Sequence, residues 1–431
     1  MLWSAVKRSK FLLSFFIVTF LGIVAVYNLP PVQDRVGWRV AELMAHVKYA
    51  ISPPEEVVFV PQEKTNLSTR TVPVTPILAT VTSSTTVAIT PSATPDLSDT
   101  PTGTPTRIPQ SIQLTSFKHE YQSWNNCGPA TLSIALSFWG WEGNQQPIAA
   151  FTKPNSRDKN VMPYELAAFV EEKTELIVLS RVGGGIELLK RLIASGFPVI
   201  VEKGFEGPDF EGWMGHYALA TGYSDSDQRF TLQDSYYGPD QVMTYDDLES
   251  YWRAFNFTYL VIYPPERKED IETILGPHVD EEYNYRLAAQ TASDEIYTLA
   301  GRDQFFAWFN RGTNLVRLQD YAGAAAAYDE AFALYPTIPE KERPWRMMWY
   351  QTGPYWAYYY TGRYQDVTNL TTKTLDAMSE PVLEESYYWR ALAREALGDS
   401  KGAIKDLRSS LEYHPGFEPS LMQLEQLGET P

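Results

Sequence analysis

The single cysteine of the 431-residue chain, Cys127, lies in the run Asn126-Cys127-Gly128-Pro129, just before an apolar stretch. Asparagine is favoured at helix N-caps and proline in the first helical turn, so Asn125 or Asn126 is a candidate cap, and Cys127 is predicted to lie at a helix N-terminus. The unsatisfied amides and the dipole of a helix start favour thiolate over thiol. The pattern therefore predicts a cysteine nucleophile; the alternative is a buried, unreactive cysteine.

A nucleophilic thiolate needs a base, and the same part of the chain contains His216 and His119. His216 begins a strand-like run, and a second run from Arg229 to Asp234 follows a turn-rich stretch, which together predict a hairpin. In that hairpin Asp234 lies diagonally from His216 on the same face, within hydrogen-bond reach. We predict that Cys127 attacks, His216 acts as base and Asp234 orients it. The alternatives are His119 as the base and Asp234 as a solvated strand-end residue.

Gln122 precedes the candidate nucleophile by five residues. Its side-chain amide, with the backbone N–H of Cys127, is placed to bind the oxyanion of a tetrahedral intermediate. The alternative is a surface glutamine with no chemical role. Gln122 therefore completes the predicted site as a donor rather than as a group that transfers protons.

A set of motifs resembles the papain-fold cysteine peptidases of the bacteriocin-leader-processing type (double-glycine peptidases, cysteine peptidase family thirty-nine) and their stand-alone relatives. The motifs are Gln122, Asn126-Cys127-Gly128-Pro129-Ala130-Thr131, Gly215-His216-Tyr217 and Gln233-Asp234. The resemblance covers residues 110 to 265. It implies Gln122 as oxyanion donor, Cys127 as nucleophile, His216 as base and Asp234 as its orienting acid. Asn126 replaces the acid usual before that nucleophile, so the resemblance does not extend to leader processing.

The apolar periodicity of residues 111–265 agrees with the α+β layout that the resemblance implies, and we assign these residues to a papain-like cysteine peptidase domain. Helical patterns cover 163 to 172, 185 to 195 and 245 to 255, and strand-like runs cover 197 to 201 and 257 to 263. The layout places a helix that carries Cys127 against a sheet that carries His216.

Two segments near the C-terminus, 305 to 336 and 384 to 415, align at the spacings of a helix-turn-helix repeat and resemble tetratricopeptide repeats. A degenerate middle copy is implied around Tyr364, since about three units are needed for a self-supporting stack. We assign 266–285 to a linker and 286–431 to an all-α tetratricopeptide repeat domain with its own core. The aromatic residues of 345 to 364 are either part of that core or the lining of a binding groove.

The N-terminal region predicts a membrane anchor and a stalk. Basic residues precede an uncharged run from Phe11 to Gln33, 23 residues long, so we assign 1–33 to a cytoplasmic tip and transmembrane helix. The alternative is a cleaved signal peptide. Residues 34–60 form a juxtamembrane segment, whose helix rests on the membrane or packs elsewhere in the protein. Residues 61–110, about half Ser, Thr and Pro, predict a disordered linker.

Composition excludes several classes of function. The net charge of −17 excludes the basic footprint of a nucleic-acid-binding protein, and one cysteine excludes intramolecular disulfides and multi-cysteine zinc sites. Gly183-Gly184-Gly185 lacks a Walker lysine or a dinucleotide spacing, and we predict no cofactor and no metal.

The sequence predicts a membrane-anchored cysteine hydrolase, a peptidase with a Cys-His-Asp triad, whose bulk is extracytoplasmic. The peptidase domain takes a protein or peptide substrate, and the repeats bind a protein partner or that substrate. The fold class is an α+β papain-like domain plus an all-α repeat domain, behind an N-terminal transmembrane helix and a disordered stalk. Two alternatives stay open: a catalytically silent papain-fold peptide-binding scaffold, and a peptidoglycan amidase or endopeptidase.

Overall fold

The structure is a computed structural model that describes residues 18, 19, 22, 30–54, 57–62, 108–155, 157–207 and 212–431. The first part of the chain forms α1 (Pro30–Ile51), β1 (Ser111–Gln113), α2 (Cys127–Phe138), α3 (Gln145–Thr152), α4 (Pro163–Lys173), β2 (Ile177–Arg181), α5 (Ile186–Ala194) and β3 (Val199–Gly207). It continues with β4 (Gly212–Ser224), β5 (Arg229–Asp234), β6 (Gly238–Thr244), α6 (Tyr245–Arg253) and β7 (Tyr259–Tyr263).

The described strands form one antiparallel sheet in the order β2-β7-β3-β4-β5-β6, and β1 pairs with the end of β4. Strand β4 lies at its centre, with Lys203 of β3 opposite His216. On the other side of β4, Gln233 of β5 is opposite Leu219, which places Asp234 level with Ala218. At Leu219 and Ala220 the hairpin of β4 and β5 has the register that the sequence predicts, whereas a bulge between Ala220 and Gly222 shifts the pairing by one residue nearer the turn.

Alternation along the strands divides the sheet into two buried faces, because successive side chains point to opposite sides. On one face Val199, Val201, Ala218 and Ala220 join a core with α5 and α6. On the other face Ile200, Leu219, Leu260 and Ile262 join a core with α2 and α4. The sheet is thus covered on both sides, and the predicted α+β layout is confirmed.

Helix α2 begins at Cys127, as predicted, and is buried along almost its whole length. Leu132 and Leu136 of the predicted apolar stripe have no exposed surface. The chain leaves the helix through Gly140, whose φ of 85° is in the left-handed region that favours glycine. A helix buried on all sides is held rigidly, and so is the residue at its first turn.

The second part of the chain is helical, with α7 (Lys268–Leu275), α8 (Glu281–Thr298), α9 (Gly301–Arg317), α10 (Tyr321–Leu334), α11 (Met347–Tyr350), α12 (Gly353–Tyr360), α13 (Tyr364–Ala377), α14 (Glu384–Ala396), α15 (Ser400–Tyr413) and α16 (Glu418–Gln426). Helices α9 with α10 and α14 with α15 form the two repeat copies recognised in the sequence. Helices α12 and α13 are the degenerate middle copy, beginning after a long connection that includes α11. The segment 266–285 contains α7 and the start of α8.

The aromatic residues of 345 to 364 mostly belong to the core. Tyr355 and Tyr358 have no exposed surface, whereas Trp356 and Tyr360 are 37% and 53% exposed. The core interpretation therefore holds for most of the segment, because these side chains pack between successive helices.

The two parts of the chain share a core, which differs from the expectation that the repeat array has its own. Trp213 and Phe255, from the sheet domain, are stacked with ring centroids 5.8 Å apart. They belong to the same buried cluster as Phe306 and Tyr328 of the repeats. Polar contacts accompany this cluster, since the side chains of Asn256 and Asn314 bond each other at 2.7 and 3.1 Å.

The segment 34–60 packs on the repeat domain, which corresponds to the second of the two interpretations of its helix. The end of α1 places Tyr49 against Trp345 with ring centroids 5.3 Å apart. The Lys48 ammonium donates to the carbonyl of Asp376 at 2.6 Å. After α1, Phe59 enters the repeat core edge-on to Phe332. No sequence pattern predicts this contact, because Phe59 is not part of a periodic apolar run.

The structure corrects the predicted single-pass membrane location. Among the described residues, no helix combines the length and the apolar character needed to cross a bilayer. Most of the uncharged run 11–33 lies outside the described residues, and so does almost all of the predicted linker 61–110. The prediction of a single-pass membrane protein with an extracytoplasmic bulk is therefore wrong on this finding, since charge and length alone do not establish a spanning helix.

Candidate active site

Cys127 lies at the start of α2 and faces a narrow pocket at the sheet. The pocket is lined by Asn125, Cys127, Gly128, Lys159, Asn160, Val161, Glu202, Gly215, His216, Tyr217 and Tyr350. The two residues predicted as nucleophile and base thus meet in one pocket, although 88 residues separate them along the chain. Strand β4 brings His216 to the start of α2, and the two elements are joined beside it, since Thr131 Oγ1 of α2 donates to the Tyr217 carbonyl at 3.1 Å.

His216 is held by Asp234. The His216 Nε2 and Asp234 Oδ1 atoms are 3.0 Å apart, and both side chains are buried. The backbone N–H groups of Tyr236 and Tyr237 also donate to Asp234 Oδ1, at 2.9 and 3.1 Å. Because Nε2 is engaged with the carboxylate, Nδ1 is the ring nitrogen left for the sulfur of Cys127, which lines the same pocket.

The electrostatics of the pocket favour an ion pair. Burial alone would raise the pKa of the Cys127 thiol, but the hydrogen bond and charge of His216 and a backbone hydrogen bond of Tyr217 lower it, and the net shift is downward. Burial lowers the pKa of His216, but the Asp234 carboxylate outweighs it, so that pKa is raised. For Asp234, burial is outweighed by the charge and hydrogen bond of His216, which hold its pKa well below the usual range. These opposite shifts favour thiolate and imidazolium together.

Gln122 is anchored close to the acid of the candidate triad. Its Oε1 accepts from Ser235 Oγ at 2.9 Å, and its backbone N–H donates to the Ser235 carbonyl. Since Ser235 follows Asp234, Gln122 is tied to the same strand end. With Oε1 engaged, the amide nitrogen of Gln122 is the end of the side chain that can donate to a substrate.

His119, the competing base, takes a different place. Its Nδ1 lies 3.1 Å from Gln233 Oε1, and it lines a second, open groove with Pro239 and Asp240. It does not line the pocket of Cys127. The geometry therefore brings His216, and not His119, to the cysteine.

Several residues of the site were missed in the sequence. The Lys153 ammonium is buried and donates to the Asn125 carbonyl at 2.9 Å. Burial lowers the pKa of Lys153 to about 8, against the raising effects of Asp158 and Cys127. Burial also raises the pKa of Glu202 to about 8, with a further rise from the negative charge of Cys127. No local pattern marks these residues, because their roles depend on tertiary burial.

Asn126 occupies the N-cap position of α2 but does not cap it with its side chain. Its amide donates instead to Gln145 Oε1 at 3.2 Å. Gln145 is in turn fixed by the carboxylate of Glu120, at 2.8 and 2.9 Å. These hydrogen bonds hold the loop that leads into Cys127. Asn126 takes part in them through its neutral amide, which explains an uncharged residue at this position.

A cluster of side chains of the types that bind metals lies away from this pocket, at the contact between α4 and the last repeat. Ligand atoms of Glu165, Glu384 and His414 all lie within 4.8 Å of one another. Their mutual contact already includes a bond of 2.7 Å between His414 Nδ1 and Glu384 Oε1. The pocket of Cys127 supplies a different donor set, a thiol, an imidazole and an amide, which suits nucleophilic chemistry.

Comparisons with known protein families agree with the two resemblances found in the sequence. Residues 109–260 match the family model described as Peptidase_C39 like family, and residues 305–338 match the tetratricopeptide repeat model. The predicted resemblance to family-thirty-nine cysteine peptidases followed by tetratricopeptide repeats is thereby confirmed for these residues. No curated protein matches the chain.

Solved structures that match the chain include a protein from Bacillus anthracis described as a C39-like peptidase. It is 14% identical with a TM-score of 0.30, and the match covers 35% of this chain and 96% of that one. The peptidase domain of Streptococcus ComA, a bifunctional ABC transporter of a quorum-sensing pathway, is 12% identical with a TM-score of 0.29, covering 35% and 99%. Xylellain, a cysteine protease from Xylella fastidiosa, is 14% identical with a TM-score of 0.29, covering 37% and 87%.

Proposed function

We propose that the chain is a cysteine peptidase in which Cys127 is the nucleophile, His216 the general base and acid, Asp234 the residue that orients His216, and Gln122 an oxyanion donor. The observation that carries this proposal is that His216, paired with Asp234 at 3.0 Å, lines the same pocket as Cys127 at the start of α2. This is the arrangement that an activated thiol nucleophile requires.

The reaction follows from the protonation states that the pocket favours. The Cys127 thiolate attacks the scissile carbonyl carbon and forms a C–S bond, while the carbonyl electron pair moves onto oxygen. The Gln122 amide and the Cys127 N–H stabilise that oxyanion. The His216 imidazolium then gives its proton to the departing amine, and a thioester remains. His216, now neutral, takes a proton from water, which hydrolyses the thioester.

The repeat domain gives this activity a binding surface for a protein. Tetratricopeptide repeats form extended concave surfaces that bind protein partners. The exposed rings of Trp356 and Tyr360 lie 6.0 Å apart on this part of the chain and are suited to contact a peptide. We infer that the repeats bind the protein substrate or a partner that presents it.

Cleavage of a library of internally quenched peptides by the purified full chain tests the proposal. We expect cleavage by the wild type and none by Cys127→Ala. His119→Ala is the matched histidine control and should cleave like the wild type, whereas His216→Ala should be inactive. A wild type that cleaves no peptide and whose thiol shows no enhanced reactivity would contradict the proposal and favour the silent scaffold.

A further inference from the structure

Asn125 carries a buried donor that nothing in the described structure uses. Its side-chain nitrogen is buried and has no hydrogen-bond partner among the described residues. The residue lines the same pocket as Cys127 and His216. Buried polar groups in native proteins are almost always hydrogen-bonded, so an unpaired donor beside a nucleophile calls for an explanation.

A role in capping the helix does not supply that explanation. Asn126, and not Asn125, occupies the N-cap position of α2, and the Asn126 amide is bonded to Gln145. The two adjacent asparagines therefore differ: the amide of Asn126 is used to hold the loop, and the amide of Asn125 is left unpaired at the pocket. Of these two side chains, that of Asn125 is the one with a buried, unpaired nitrogen.

The backbone of Asn125 is held in place by a buried lysine. Its φ of 55° lies in the left-handed region, which asparagine tolerates better than most residues. The Lys153 ammonium donates to the Asn125 carbonyl at 2.9 Å and to the Asp158 carbonyl at 3.3 Å. Because Lys153 is only 4% exposed, this contact fixes the peptide from which the Asn125 side chain projects.

We propose that Asn125 is a catalytic residue, whose side-chain amide donates a hydrogen bond to the oxyanion formed when Cys127 attacks an acyl substrate. The inference rests on the proposed function of Cys127 and His216. A donor that is fixed and unpaired before the substrate arrives is preorganised, so it stabilises developing negative charge without the cost of breaking another bond. Asn125 acts together with the Gln122 amide, whose oxygen is tied to Ser235.

Two reactions of the same thiolate separate this role from a structural one. Iodoacetamide alkylates the Cys127 sulfur by displacement: a C–S bond forms, iodide leaves, and no oxyanion arises. p-Nitrophenyl acetate acylates it: the sulfur bonds to the carbonyl carbon, the electron pair moves to oxygen, and collapse of this oxyanion expels p-nitrophenolate. An oxyanion donor therefore affects acylation and not alkylation.

The test uses the full chain with Asn125→Gly, which removes the amide and accommodates the positive φ without strain. We expect acylation by p-nitrophenyl acetate to slow about 100-fold to 1000-fold, the usual loss for one oxyanion donor. Alkylation by iodoacetamide should stay close to the wild-type rate. Asn125→Asp keeps the shape of the side chain without an amide hydrogen, and its acylation should fall at least as far.

Three outcomes would overturn the inference in different ways. Wild-type acylation by Asn125→Gly means that the amide does not contact the oxyanion. Equal losses in acylation and alkylation mean that Asn125 only positions Cys127. If the wild type itself shows neither rapid alkylation nor acylation, the proposed function fails together with the inference, whereas the first two outcomes leave the proposed function intact.

Discussion

Tyr350, a residue of the repeat domain, lies against Gly215, the residue that precedes His216. A Cβ built on Gly215 would lie 3.0 Å from the Tyr350 ring and 2.7 Å from Phe255 Cζ. Burial raises the pKa of Tyr350 to about 12, and a backbone hydrogen bond of Gly215 opposes that rise. The repeat domain therefore forms part of the wall of the candidate active site.

Gly215→Ala should destabilise the protein, because the added methyl group has no space between Phe255 and Tyr350. We expect a loss of about 1–3 kcal/mol, the usual cost of overpacking, measured as a fall in the thermal midpoint. Gly185→Ala is the matched control, since a Cβ at Gly185 meets nothing within 4 Å. Equal midpoints for the two variants would contradict the close contact at Gly215.

Removal of the repeats should damage the peptidase domain. The buried faces of Trp213 and Phe255 would be exposed in a fragment ending near residue 265, because they pack against repeat residues. The carbonyl of Trp213 would also lose its bond from Arg346, which is 2.8 Å long in the full chain. We expect such a fragment to melt well below the full chain in circular dichroism and to lose rapid alkylation of Cys127.

The full chain, measured in parallel, is the control for that fragment. A fragment that melts like an independent domain and keeps rapid alkylation would mean that the repeats serve recruitment alone. The sequence favoured that simpler division, because the proline pair at residues 264 and 265 and the charged stretch after it resemble a domain junction.

Asp234→Asn should shift the reactivity of Cys127 to higher pH. The Asp234 carboxylate raises the pKa of His216, and the protonated His216 lowers the pKa of Cys127. Without that carboxylate, the imidazolium loses its proton at lower pH and the thiolate forms at higher pH. The midpoint of iodoacetamide alkylation against pH should rise. Asp240→Asn, at a residue of the second groove, is the control, and an unchanged midpoint for Asp234→Asn would contradict the account.

The buried carboxyl of Glu385 should make the domain contact sensitive to pH. Burial, with the nearby charges of Glu384, Glu165 and Asp158, raises its pKa well above the usual range. A carboxyl of this kind contributes stability that is fully present below its unfolded pKa, about 4.3, and is lost as the pH rises through its folded value. Glu385→Gln should therefore gain thermal stability over the wild type as the pH rises.

Thermal midpoints at about pH 5 and about pH 8 measure this effect, because both values lie above the unfolded pKa of a glutamate, about 4.3, where the loss grows with pH. Glu412→Gln, at an exposed position of α15, is the control and should follow the wild type at both values. A Glu385→Gln variant whose advantage does not grow with pH would mean that burial does not raise the pKa of this carboxyl.

Local sequence patterns were sufficient to predict the helix and strands that carry the candidate site residues. Cys127 was predicted at a helix start because Asn126 and Pro129 are local signals, and the His216 and Asp234 strands because their alternation and turn are local too. The helices predicted at 163 to 172 and 185 to 195 differ from α4 and α5 by at most one residue at either end. These features depend on residues that are adjacent in the sequence, so they can be recognised without the structure.

Contacts made across the fold could not be predicted in this way. Tyr350 was classed with the aromatic residues of the repeats, and nothing near it indicates a contact with Gly215. Lys153 looks like a surface lysine until α3 is placed against the loop before Cys127. The membrane prediction failed for a related reason, since it rested on the charge pattern and length of one run.

The pH dependence of Cys127 alkylation in the native full chain tests the central claim, an ion pair between Cys127 and His216, most directly. At about pH 6, well below the pKa of an ordinary thiol, iodoacetamide should modify the native wild type much faster than the denatured protein. His216→Ala should reduce the native rate toward the denatured one, and His119→Ala should not. Equal rates for native and denatured wild type at this pH would contradict the ion pair.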